Sequence, residues 1–198
     1  MRAVVQRVTG ARVEVGGEVV SSIGRGLCVL IGISRDDTVK DMEFIVRKIL
    51  NLRVFPDGEK MWSRNVMECD YEVLCVSQFT LQCVLKGNKP DFHCAMAADE
   101  SKLLYENVVG NMKSVYRPDK IKDGVFGAYM QVHIQNDGPV TIPLESPPSQ
   151  PSKERKPPNP PGTGRRHHDQ SSVSLPDSDS VKVVAASDCK KPTASSEI

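Results

Sequence analysis

Every aromatic residue of this 198-residue chain lies before Pro147. The first part holds the four Tyr, the five Phe and Trp62, while residues 147–198 hold nine of the 14 prolines and ten serines. Such a stretch cannot bury enough apolar surface to offset the entropy of ordering it. The expectation is one folded domain over 1–146 and a disordered Pro/Ser-rich tail over 147–198. A domain of that size hides roughly 68–70% of its unfolded surface, enough for one proper core.

Charge excludes more than it suggests. Lys+Arg 26 against Asp+Glu 25 leaves a formal net charge of +1, which argues against a strongly basic nucleic-acid coat. The tail has eight basic and six acidic residues, with small basic clusters at 153–156 and 165–168. Two readings of it stay open: a solvated linker, or weak contact with DNA or a protein partner. Ser178 and Ser180, beside Asp177 and Asp179, form a weak acidophilic phosphorylation pattern. No apolar run approaches the ~20 residues that span a bilayer, so no membrane role is expected. Arg7 follows too short an apolar stretch for a secretory leader. The six cysteines, Cys28, Cys69, Cys75, Cys83, Cys94 and Cys189, form no C-x-x-C pair. They read as reduced thiols in the cytoplasm, with the nucleus as a second compartment. His93-Cys94 lacks structural-zinc spacing, so neither a metal nor any other cofactor is expected.

Residues 3–8 and 12–15 alternate as strands, Gly16-Gly17 forms a tight turn, and 18–23 returns. The run LCVLIGI at 27–33 is apolar on both faces and predicts a strand covered on both sides. Residues 38–52 read as a helix burying Val39, Met42, Ile45, Val46, Ile49 and Leu50. Pro56-Asp57-Gly58 predicts a turn. Residues 72–79 are a second apolar strand. A second helix over 98–116 places Leu103, Leu104, Val108, Val109, Met112 and Val115 on its buried stripe. Strands at 129–134 and 140–144 are joined across Asn136-Asp137-Gly138-Pro139. The order is no regular βαβ alternation. It predicts a mixed α/β fold with largely antiparallel β-sheets and helices packed on one side. Neither the dinucleotide nor the P-loop glycine fingerprint occurs.

Two segments gather groups that can do chemistry. Ser77-Gln78-Phe79-Thr80-Leu81 puts two hydroxyls, an amide and an aromatic ring where a buried strand emerges. Amides there can donate to an oxyanion, or the hydroxyls simply satisfy the strand's own backbone. Asn136-Asp137-Gly138-Pro139-Val140-Thr141 reads locally as a hairpin turn, although X-Pro steps are also where cis bonds occur. His133 alternates with Val132 and Ile134 and reads as structural. There is no G-x-S-x-G elbow and no H-E-x-x-H. A hydrolase built on this chain lacks an obvious side-chain base.

At these segments the chain resembles the D-aminoacyl-tRNA deacylases. The matching stretches are MRAVVQRV at 1–8, SQFTL at 77–81, FGAYMQV at 126–132 and NDGPVT at 136–141, in order over about residues 1–146. The tail departs from the compact form of the family and looks like the extension of an animal member.

The resemblance implies hydrolysis of the ester in D-aminoacyl-tRNA by a homodimer with its active sites at the subunit interface. Ser77, Gln78, Phe79 and Thr80 line a pocket for the tRNA 3′-terminal adenosine and its amino acid. Gly138-Pro139, cis in the family, enters the pocket of the other subunit, and Arg7 holds that loop. D- and L-amino acids carry identical groups, so a rigid obstacle where only an L side chain would sit separates them better than added attraction. Glycine has no side chain to reject, which makes glycyl-tRNA a second expected substrate. No base adjoins Thr80, so substrate assistance by the ribose 2′-OH is preferred, with Thr80 positioning rather than attacking. Phe126 is expected to stack on or wall the adenine, Met130 to line the pocket, and Lys86 and Lys89 to meet tRNA phosphates or else to sit in a solvated turn. The competing reading is a DNA-binding accessory protein acting through the tail, as in DNA replication. A third is a pseudoenzyme, which the intact SQFTL and NDGPVT segments oppose.

Overall fold

The computed structural model describes residues 1–148. The expected tail, with its basic clusters, Ser178, Ser180 and Cys189, therefore lies outside the described residues, apart from Pro147 and Pro148.

Among the described residues, ten strands and two α-helices occur in the order β1 (Arg2–Val15), β2 (Glu18–Ile23), β3 (Gly26–Gly32), α1 (Val39–Asn51), β4 (Phe55–Asp57), β5 (Lys60–Arg64), β6 (Glu72–Ser77), β7 (Val84–Lys86), β8 (Lys89–Asp91), α2 (Ala98–Val115), β9 (Ile121–Asp123) and β10 (Gln131–Glu145). The main sheet runs β10-β1-β3-β6-β9, with β2 also paired to β1. β1 is antiparallel to β10, β2 and β3, whereas β3–β6 and β6–β9 are parallel. The two parallel steps are the two helical crossovers. Crossovers of one hand stepping in one direction leave both helices on one face, as the sequence predicted. β4–β5 and β7–β8 are separate antiparallel hairpins.

The main core joins α1 and α2 to the sheet through Val5, Leu27, Ile31, Ile45, Ile49 and Val108, among others. A smaller cluster around Val8, Val13, Cys28, Leu74 and Val76 covers the other face. β1 serves both clusters: Ala3 and Val5 face one and Val8 the other, and a register irregularity between Val8 and Gly10 brings Ala11 and Val13 to the same face as Val8. Val73, Leu74, Cys75 and Val76 in β6 are all buried, as expected for a strand covered on both faces. Burial pushes the Cys28 thiol up to about 12 and the Cys75 thiol higher still.

Three expectations need correcting. Residues 3–8 and 12–15 belong to one continuous strand, β1. Residues 129–134 and 140–144 do not form a hairpin. Gln131–Glu145 is a single strand lying along β1 for most of its length, because a strand as long as β1 offers one uninterrupted edge. The buried helical stripes are narrower than the periodicity predicts: Val39 is 56% exposed, Leu103 65% and Val115 57%. Val39 and Val115 are end residues that overhang the layer beneath. Leu103 lies two residues before the buried Tyr105, about 200° around the helix at 100° per residue, and so faces away.

These placements predict opposite results for two leucine-sized truncations. Ile49→Ala, at a fully buried position, should cost about 2–5 kcal/mol in denaturant unfolding. Leu103→Ala should stay within about 0.5 kcal/mol.

Candidate functional site

The predicted strand 72–79 stops at Ser77 because its partner β3 stops at Gly32. The Gln78 amide makes a last bond to the Ile31 carbonyl at 2.7 Å. The chain then turns through a short 3-10 helix, Phe79–Gln82. Gln82 is buried, and its side-chain amide donates to the Gly32 carbonyl at 2.8 Å. Arg2 donates to the Leu81 carbonyl at 3.0 Å. A Cβ on Gly32 would meet the Leu81 Cβ at 2.7 Å and the Gln78 carbonyl oxygen at 2.9 Å. Glycine at position 32 is what lets the turn lie against the sheet.

This strand exit borders a cavity of about 490 Å³. Of the residues singled out from sequence, Ser77, Gln78, Phe79, Phe126 and Met130 line it. Phe126 leans on Tyr105, with ring centroids 5.6 Å apart. Thr80 is not part of the lining; it is exposed, and its hydroxyl accepts a hydrogen bond from the Gln78 side chain at 2.5 Å. Phe92, Ala95, Met96 and Ser101 complete the wall and were not anticipated. Their loop is stitched to the end of β3 by Met96 N–H to the Ile33 carbonyl and Arg35 N–H to the Cys94 carbonyl. Phe92 meets Phe79 edge to face at 5.1 Å. Such side-chain gathering leaves no local sequence signal.

Lys86 and Lys89 face each other across the tip of the β7–β8 hairpin, outside the cavity lining. Lys86 is ion-paired with Asp91. Lys86 first, then the His93 amide and ring, hold the Asp91 carboxyl well below the usual carboxylate range. His93 places Nδ1 2.8 Å from Asp91 and Nε2 3.3 Å from the Cys94 sulfur. His133 sits 3.2 Å from Glu14, on the strand as predicted.

Arg7, Gly138 and Pro139 form a second group. Gln6 pairs with Thr141 and Val8 with Asn136, so four residues of β10 stand opposite Arg7 alone and loop outward. The neck of this loop is closed by Asn136 Nδ2 donating to Thr141 Oγ1 at 2.8 Å and the Val140 amide donating to Asn136 Oδ1 at 3.0 Å. The Gly138-Pro139 peptide is cis, and both residues are exposed. Arg7 is buried, and its Nε lies 3.3 Å from the Asp137 carbonyl and 3.2 Å from the Asp137 carboxylate. Its Nη1 donates to the Val54 carbonyl at 2.6 Å. Gly138 has φ +119°, and a Cβ there would lie 3.0 Å from Arg7 Nη2. Asp137, Asn136 and Thr141 thus support the loop, although sequence singled out Arg7 alone for that role. Neither Gly138 nor Pro139 lines the cavity of its own chain.

A family model described as D-Tyr-tRNA(Tyr) deacylase matches residues 4–145. D-aminoacyl-tRNA deacylase 1 of Bos taurus is 67% identical over 148 residues, covering 74% of this chain and 71% of that protein. D-aminoacyl-tRNA deacylase of Drosophila melanogaster is 59% identical over 147 residues, covering 74% of this chain and 93% of that protein. A solved structure named c-Myc DNA Unwinding Element Binding Protein is 66% identical with a TM-score of 0.73, covering 74% of this chain and 99% of that one.

The close approach at Gly32 yields a stability prediction. Gly32→Ala should destabilise the domain by about 1–3 kcal/mol, because backbone and Leu81 must move to admit the methyl group. Denaturant unfolding of the two proteins checks it.

Proposed function

The chain belongs to the D-Tyr-tRNA(Tyr) deacylase family, and from that premise we infer that it hydrolyses D-aminoacyl-tRNA and selects chirality by exclusion. One arrangement carries the inference. The SQFTL turn and the FGAYM segment border one cavity, while the Gly-Pro loop stands exposed on Arg7, outside it. A cavity of about 490 Å³ is in the size range of small-ligand sites and suits a terminal nucleoside with its amino acid.

The site has donors but no evident base. Phe79 and Thr80 open the 3-10 turn, and the first amides of a helical turn have no acceptor within it. They are the groups to stabilise the oxyanion formed when water attacks the ester carbonyl. The Thr80 hydroxyl is engaged by Gln78 rather than by a general base. The ribose 2′-OH of the substrate then assists the water, and Thr80 with Gln78 orients the turn.

A second copy of the chain supplies the Gly-Pro loop. Its exposed main chain fills the space that an L side chain requires, leaving D-amino acids and glycine free to enter, so glycyl-tRNA is a further substrate. Lys89, and Lys86 when released from Asp91, meet the phosphates of the acceptor end. The cytoplasm, with the nucleus second, is the proposed setting. DNA binding through the tail depends on residues outside the described ones and is set behind hydrolysis.

Purified protein given matched D- and L-tyrosyl-tRNA should release D-tyrosine rapidly and leave the L-ester intact. Equal release would retain the esterase and remove the filter, and release of neither would remove the hydrolase. In the same assay Thr80→Ala should keep at least about a tenth of the wild-type kcat, whereas loss of a true nucleophile costs about 10⁴ or more.

A further inference from the structure

We infer that Trp62 is a positioning residue for the Gly-Pro loop, acting through Arg7. The inference rests on the proposed role of that loop in chiral selection and adds the element that fixes its posture.

Trp62 is the chain's only tryptophan and is 54% exposed. Its φ of 57° lies in the left-handed region, where a residue with a bulky side chain rests only against a steric cost. The turn of the β4–β5 hairpin does not require this, since it falls earlier, around Gly58 and Glu59. The pairing shows where the distortion sits: Asp57 faces Lys60 and Phe55 faces Arg64, so three residues of β5 oppose Pro56 alone. The strand bulges at 61–63, and the bulge delivers the indole ring over the Arg7 guanidinium, 6.0 Å from centroid to Cζ. Backbone outliers of this kind are held by surrounding structure and concentrate at sites that need a fixed geometry.

The Arg7 edges are already committed. One bonds the Val54 carbonyl, which leads into the same hairpin, and another bonds Asp137 in the Gly-Pro loop. The ring lies over a face of the plane and attracts the cation, and the burial of Arg7 leaves the bonds along its edges little screened by solvent. The arrangement occurs twice. Arg25 approaches the same Asp137 carboxylate at 3.9 Å and lies 6.0 Å from the Tyr71 ring. Two guanidinium groups converge on one carboxylate, each backed by an aromatic ring. Glycine at 138 lets the loop close onto Arg7, since a Cβ there would lie 3.0 Å from its Nη2. Trp62 therefore sets where the loop stands without touching substrate.

The test uses the full chain as Trp62→Ala and Trp62→Phe, with Pro139→Ala alongside. Each is assayed for kcat and KM on D-tyrosyl-tRNA and for kcat/KM on the L-ester. Trp62→Ala should lower the D-to-L ratio by about tenfold or more while KM for the D-substrate stays within about twofold. Trp62→Phe keeps a ring face over Arg7 and should hold the ratio within about threefold of wild type. An unchanged ratio in Trp62→Ala overturns the inference, and so does an equal loss in both Trp62 variants. Pro139→Ala separates the two levels. If it lowers the ratio and Trp62→Ala does not, the role of Trp62 alone fails. If it leaves the ratio untouched, the Gly-Pro reading fails and takes this inference with it.

Discussion

The pairing of β1 along both of its edges governs the molecule. One edge of this strand carries β10 from Arg2 to Glu14, and the other carries β3 and then β2. Because both edges are occupied, extra residues in β10 cannot be absorbed into the sheet; they must leave it. Asp137, Gly138, Pro139 and Val140 leave opposite Arg7, which grips Asp137 while Asn136 and Thr141 close the neck. The parity change in β1 lies just beyond, between Val8 and Gly10, and it keeps Val8, Ala11 and Val13 in one apolar cluster while Ala3 and Val5 serve the other.

The cavity depends on a different termination. β3 and β6 run parallel and end nearly level, so the chain leaving β6 has no strand to follow and turns on Gly32. A side chain at that position would push the SQFTL turn off the sheet. The wall formed by Phe126 and Met130 comes from the approach to β10. The two signature segments are therefore tied to one sheet, one at a strand end and the other beside a strand's bulge.

Much of this was legible in the sequence. Apolar runs such as 27–33 identify buried segments, and seven residues is the length of a strand covered on both faces rather than of a buried helix. The periodicity of Met42, Ile45, Val46 and Ile49 fixes α1 and its inner face. The SQFTL and NDGPVT segments stood out in the sequence, and they lie at the exit of β6 and in the β10 loop. The illegible parts depend on partners distant in the chain. Nothing near Asn136 reveals that the strands on either side of it share β1 as a neighbour, so a hairpin was the natural reading. Tyr105 is buried in place of Leu103 because the tertiary face, and not apolarity alone, selects the stripe. The Val54 carbonyl and Trp62 meet Arg7 across about 50 residues of sequence, and pattern reading does not reach that far.

The neck of the β10 loop has a consequence for how such a protein can change. Asn136 and Thr141 close it with side chains of their own, outside the ladder. Whatever the tip presents, the strands below remain paired. The loop is in effect a portable attachment, and a lineage could revise what it presents without renegotiating the stability of the sheet that bears it.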